Sequence, residues 1–219
     1  TGPKLLEFEE KFREYKLIDY SAGFNSCTSA LFLALKTLGI SKGDEVITTS
    51  MTFCSTVNTI LHCGATPILC DIDKDTKNIS IDEIIKKISP KTKAIIPVHF
   101  AGYPCNMSSI MSIAKDNNLF VIEDCAHAIE SKFQNQHCGT FGDVGCFSFY
   151  ATKNIAIGEG GMAISNNNEI ITKMALLGLH GLSKDAWKRF EISESKNSYD
   201  VIDIGYKMNM TDTQASIGT

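Results

Sequence analysis

Lys153 lies just past the apolar run Cys146-Phe147-Ser148-Phe149-Tyr150-Ala151-Thr152, and the glycine turn Gly158-Glu159-Gly160-Gly161 follows it closely. Most lysines are solvated surface groups. One set between a strand-like segment and a glycine turn is instead placed for burial, which lowers a lysine pKa as Schiff-base chemistry requires. Upstream, Leu119-Phe120-Val121-Ile122 runs into Glu123, Asp124 and then His127. Alone, Asp124 reads as a helix cap or a surface ion-pair partner, and His127 as a structural histidine. Together with Lys153, at the ends of two buried strands, they suit a pyridoxal phosphate enzyme. The lysine would hold the aldehyde as a Schiff base, and the aspartate would face the pyridinium nitrogen and keep it protonated. His127 stands close enough in sequence to orient Asp124 or touch the ring.

A cofactor phosphate wants backbone N–H groups at a helix start, with hydroxyls beside them. Asn25-Ser26-Cys27-Thr28-Ser29-Ala30 offers both, after Ala22-Gly23-Phe24, and Ser148 adds a hydroxyl from the lysine strand. The signal is weak by itself, because Ser and Thr cap helices everywhere. Phe53, after Ser50-Met51-Thr52, could stack on a flat ring or serve as core at the head of an apolar helix. Neither G-x-x-x-x-G-K-[ST] nor G-x-G-x-x-G occurs, so nucleotide-binding folds lose their usual support.

The elements that must position these residues alternate between helix and strand. Helical periodicity covers Leu5 to Tyr15, with Leu5, Phe8, Phe12 and Tyr15 on one side. Further helices are expected over Ser26 to Leu38, Phe53 to Cys63, Ser108 to Asn117, and from a Ser80 cap to Ile88. Strands are expected at 45–49, 66–71, 94–98 and 119–122. Short apolar strands spaced by helices predict a mostly parallel sheet covered on both faces, a three-layer α/β/α fold. Ligands in such sheets gather beyond the carboxyl ends of the strands. Ser50, Thr52, His99, Asp124 and His127 all fall there. Ser193 to Tyr199 reads as a flexible loop, and Ala215 to Thr219 as a helical segment cut short, as in a fragment.

Composition narrows the partners. The chain has 219 residues, 43% hydrophobic and 21% charged, with a net charge of −4. Nucleic-acid binders usually show a basic face, so no nucleic-acid partner is expected. No apolar run has the length of a membrane span and no signal peptide opens the chain, so a cytoplasmic protein without a membrane partner is expected. The eight cysteines include no Cys-x-x-Cys pair, which predicts buried reduced thiols and no metal site.

These segments, in this order, resemble the sugar aminotransferases of the DegT/DnrJ/StrS type, fold-type I pyridoxal phosphate enzymes. The likeness runs from Thr1-Gly2-Pro3 through Gly43-Asp44-Glu45-Val46-Ile47, Gly64-Ala65-Thr66-Pro67, Lys93 to His99, Ile122 to Ala128, Gly139 to Asp143 and Phe147-Ser148-Phe149. Lys153-Asn154, Gly158 to Gly161, His180-Gly181 and Gly205-Tyr206 complete it. The resemblance implies the large, aspartate aminotransferase-like domain over 1–219, without a smaller carboxyl-terminal domain. It assigns Lys153 the Schiff base, Asp124 the ring nitrogen, His127 a place near the ring oxygen, Phe53 the stacking contact, and Cys27, Thr28 and Ser148 the phosphate. It implies a homodimer with a shared active site, in which Lys207 or Asn209 reaches the neighbouring subunit's phosphate. Cys27 departs from the glycine common in the family there. Lysine at 153, where dehydrating relatives carry histidine, implies transamination: glutamate as expected donor, and a keto group on a nucleotide-linked sugar as acceptor. Lys153-Asn154-Ile155 and Leu179-His180-Gly181-Leu182 lean toward the subgroup acting on UDP-4-keto sugars, such as the aminoarabinose enzyme. The competing readings are another fold-type I enzyme, a lyase or aldolase, and a non-catalytic binding domain of the same fold.

Overall fold

The computed structural model describes residues 2–182 and 200–219. Seven strands form one sheet: β1 (Tyr20–Phe24), β2 (Glu45–Thr49), β3 (Thr66–Cys70), β4 (Thr92–Ile96), β5 (Phe120–Asp124), β8 (Val144–Ser148) and β9 (Gly161–Ser165). Their spatial order is β1-β9-β8-β5-β4-β2-β3. The pairs β2–β3, β2–β4, β4–β5 and β5–β8 are parallel, while β9 runs antiparallel to both β8 and β1. A short hairpin, β6 (Lys132–Phe133) with β7 (Gln136–His137), lies outside the sheet.

Helices cover both faces, as the alternation of strand side chains requires. In β4, Ala94 and Ile96 join a core with α2 (Cys27–Thr37), α3 (Cys54–His62) and α6 (Asn168–Gly178), whereas Ile95 between them joins a core with α5 (Met107–Asn117) and Ile84 of α4 (Ile81–Lys87). Beneath β8 and β9, Phe147, Met162 and Ile164 pack with Leu5, Phe8 and Phe12 of α1 (Pro3–Lys16) and Ala215 of α7 (Asp212–Gly218). The mostly parallel three-layer architecture matches the sequence expectation.

Several boundaries differ from it. Tyr15 is exposed, and Lys16 takes the buried fourth position of α1. Its ammonium donates to Ile129 O at 2.6 Å and Cys138 O at 3.3 Å and lies 4.3 Å from the Phe147 ring centroid, so carbonyls and a π-face replace water around the charge. Desolvation still lowers its pKa, against the nearby thiol and carboxylate groups. β4 ends at Ile96 rather than Val98, which continues only as an isolated bridge to Asp124. Asp124 itself is the last residue of β5 rather than the residue after a strand. Phe53 caps α3 instead of lying within it. All eight cysteines are free; seven are buried, but Cys54 is exposed near the start of α3. The stretch from Ser193 to Tyr199 lies outside the described residues.

Candidate active site

β5 and β8 are adjacent and parallel, with Asp124 paired to Cys146, so both strands deliver their carboxyl ends to one edge of the sheet. β8 ends at Ser148, and the chain then closes a tight loop. Phe149 N–H donates to Gly160 O at 2.9 Å, Ala151 N–H to Gly158 O at 3.1 Å, and Ile157 N–H to Phe149 O at 3.0 Å. Lys153 rides on this loop, its N–H held by Tyr150 O at 2.8 Å. Asn154 ties the loop across to Glu130 through hydrogen bonds of 3.0 and 2.9 Å to the two carboxylate oxygens. Lys153 is half-buried, not sealed from solvent as its sequence setting predicts. It lines a cleft of about 310 Å³ with His127, Ser148, Ala126 and Thr152.

Asp124 lies behind that wall, 4% exposed. Its Oδ1 accepts the N–H of Ala126, a cleft residue, at 3.1 Å, and its Oδ2 accepts the Thr56 hydroxyl at 2.7 Å. Main-chain bonds fix its place: Asp124 N–H donates to Pro97 O at 2.9 Å, and His99 N–H donates to Asp124 O at 3.2 Å. His127 is exposed at the cleft. Partial burial holds its pKa below the ordinary imidazole value, the Lys153 charge adds to that, and Asp124 opposes it. Cys27 feels the same two charges: burial raises its thiol pKa well above the usual range, Asp124 adds, and Lys153 counters. The four side chains thus share one electrostatic neighbourhood.

The start of α2 presents main-chain donors of the kind an anion can use. Ser26 is its N-cap and accepts the Ser29 N–H at 3.1 Å, which leaves the first-turn N–H groups of Cys27 and Thr28 without intrahelical partners. The Cys27 side chain is buried and Thr28 is exposed, so Cys27 offers its main chain rather than its sulfur. Gly161 explains the glycine pair after the lysine loop. A Cβ there would lie 2.3 Å from Ser26 C and 2.4 Å from Cys27 N. β9 therefore passes against the α2 start at a distance only glycine permits.

Phe53 is 74% exposed at the head of α3, the helix that holds Thr56 against Asp124. Lys207 and Asn209 stay out of the cleft. Lys207 Nζ donates to Asn209 Oδ1 at 2.5 Å, and Asn209 bridges Phe24 and lines a separate groove of about 420 Å³. Both nevertheless lie beside the α2 start, because Met208 O accepts the Asn25 N–H at 2.8 Å.

His99, one of the polar residues expected to meet a ligand, is wholly buried and points inward. Its Nδ1 accepts the Cys105 N–H at 3.1 Å, so its Nε2 carries the proton donated to Glu123 at 3.0 Å. Glu123 also accepts the N–H groups of Gly139, Phe141 and Gly142, each at 2.8 Å. Although His99, Glu123 and Cys125 present ligand atoms within 4.8 Å of one another, the imidazole and carboxylate are committed to these hydrogen bonds. Sequence reading missed Glu123 as an anchor and Thr56 altogether. The spacing of Thr52 and Thr56, four apart at a helix start, was the available signal for the second.

An amine, a buried carboxylate and an open helix start with hydroxyls form a donor set that fits pyridoxal phosphate: covalent anchor, ring-nitrogen partner and phosphate cradle. The model of the DegT/DnrJ/EryC1/StrS aminotransferase family matches residues 1–219. The spore coat polysaccharide biosynthesis protein SpsC of Bacillus subtilis is 48% identical over 217 residues, 99% of this chain and 56% of SpsC. The GDP-perosamine synthase of Escherichia coli O157:H7 is 42% identical over 219 residues, 99% of this chain and 57% of that protein. Spr1654 of Streptococcus pneumoniae, solved in its PMP-form, superposes with a TM-score of 0.91 at 35% identity, covering all of this chain and 59% of that one. The chain thus spans little more than half the length of these proteins. With a family match over its whole length and relatives that align with almost all of it, the chain belongs to the DegT/DnrJ/EryC1/StrS aminotransferase family.

Proposed function

We propose that this chain is the cofactor-binding large domain of a sugar aminotransferase that uses pyridoxal 5'-phosphate. It moves an amino group from an amino acid, glutamate in our reading, to a keto group of a nucleotide-linked sugar. The observation that carries the reading is that Lys153, on the loop after β8, lines a cleft whose wall residue Ala126 is hydrogen-bonded to the buried Asp124 carboxylate at the end of the adjacent parallel strand β5. When bound, the cofactor supplies an electron sink for the carbon that exchanges its amino group.

The chain's own residues do the rest. Lys153 would hold the cofactor's aldehyde through its amine, and as a free amine would serve as the base that moves a proton. Asp124, fixed through both oxygens, would pair with the ring nitrogen. His127 would lie by the ring oxygen, and the exposed Phe53 ring would stack on the ring. The N–H groups of Cys27 and Thr28 hold phosphate with the Ser148 hydroxyl. Lys207 or Asn209, beside the α2 start, reaches the phosphate of a second subunit in a homodimer. The leaning toward UDP-linked sugars stands beside the GDP-perosamine synthase relative, so both nucleotides belong in a substrate panel.

The test is spectroscopic. Full-length protein mixed with pyridoxal phosphate is expected to develop a visible absorbance band that borohydride fixes covalently, whereas Lys153→Ala yields no covalent product. Equal labelling of both proteins, or of neither, removes Lys153 from this role. Amino transfer from glutamate to UDP-, dTDP- and GDP-linked keto sugars then identifies the acceptor.

A further inference from the structure

We infer that Thr56, with Thr52 behind it, is a positioning residue for Asp124; this rests on Asp124 being the ring-nitrogen partner. Thr56 is fully buried on the first turn of α3, and its hydroxyl donates to Asp124 Oδ2 at 2.7 Å. A hydroxyl has a single hydrogen. With the Thr56 hydrogen committed to the carboxylate, the 2.8 Å contact between the Thr52 and Thr56 hydroxyls has one direction left: Thr52 donates and Thr56 accepts. The relay therefore runs from half-buried Thr52 through Thr56 to Asp124, each hydrogen aimed toward the carboxylate, and bonds in such a chain strengthen one another.

Two consequences follow for the site. The terminal torsion of an aspartate is broad. Here Thr56 holds one oxygen and the Ala126 N–H the other, so the plane of the carboxyl group is set. The relay also sits on the same helical turn as Phe53. Thr56 N–H is bonded to Phe53 O at 3.2 Å, and Thr56 O accepts the Thr59 hydroxyl at 3.0 Å. One turn of α3 therefore carries the Phe53 main chain and fixes the orientation of Asp124.

The experiment uses full-length parent, Thr56→Val, Thr56→Ser and Thr52→Val, with thermal melts of each. The readouts are the affinity for pyridoxal phosphate, by visible titration, and the pH midpoint of the visible band. Thr56→Val is expected to bind the cofactor about ten-fold more weakly, the scale of one lost hydrogen bond to a charged group, and to displace the midpoint. Thr56→Ser, which keeps the hydroxyl, is expected to match the parent in both. Thr56→Val behaving as the parent overturns the relay, and so does Thr56→Ser failing as valine does, since the methyl would then be what matters. Should Thr56→Val not fold, Thr52→Val carries the test; a displaced midpoint there supports the relay and an unchanged one overturns it. A parent that forms no band overturns the cofactor reading itself, and the relay with it.

Discussion

His127 stands between charges of opposite sign, and the balance between them is measurable. Its pKa is held down by partial burial and then by the Lys153 ammonium, with Asp124 pulling the other way. An imidazole with a lowered pKa is neutral at pH 7, so in the cofactor-free protein it can accept a hydrogen bond. Removing the lysine charge relieves the repulsion. In Lys153→Ala, the His127 NMR titration midpoint is expected to rise toward the ordinary value, widening the acidic range in which the ring is charged. A midpoint that stays put would mean that Lys153 does not face His127 across the cleft. Sequence could name both residues but not that they couple, since their proximity depends on a loop closing back over a strand end.

The start of α2 and the passage of β9 against it decide whether a phosphate cradle exists. Gly161 leaves no space for a side chain, its would-be Cβ falling 2.4 Å from Ser26 O as well as from Cys27 N. Gly161→Ala must push the strand and the helix start apart. The expected cost is about 3 kcal/mol, at the upper end for overpacking, read as a fall in denaturation midpoint. Cofactor affinity is expected to fall with it, because the displaced N–H groups are those proposed to hold the phosphate. Normal stability and affinity in Gly161→Ala would show that the cradle lies elsewhere. The motif Gly158-Glu159-Gly160-Gly161 was visible as glycine-rich, but it reads as a turn. Only the pairing of β9 with β8 and β1 turns its last glycine into a packing requirement.

Across the whole molecule, Glu123 joins the region after β4, the end of β5 and the loop that leads into β8. One buried carboxylate accepts from His99 and from three N–H groups of one loop, those of Gly139, Phe141 and Gly142. Glu123→Gln replaces an acceptor oxygen with an NH2 that confronts donors. The expected loss is about 3–5 kcal/mol, and chemical denaturation measures it. A change below about 1 kcal/mol would mean that the loop finds other acceptors. The sequence by itself determined the alternation of helix and strand, the mostly parallel sheet, the family, and Lys153 and Asp124 as the residues to watch. The elements and the two residues rest on local periodicity and on residue types with few roles, and the family on a long ordered resemblance. The tertiary structure decided the rest. It revealed β1, β9 and α6, buried Lys16 in place of Tyr15, and turned His99 inward to Glu123. It also set Thr56 against Asp124. These outcomes depend on which segments meet across the sheet, and hydrogen bonds between residues 24 or 68 positions apart leave no local pattern to read.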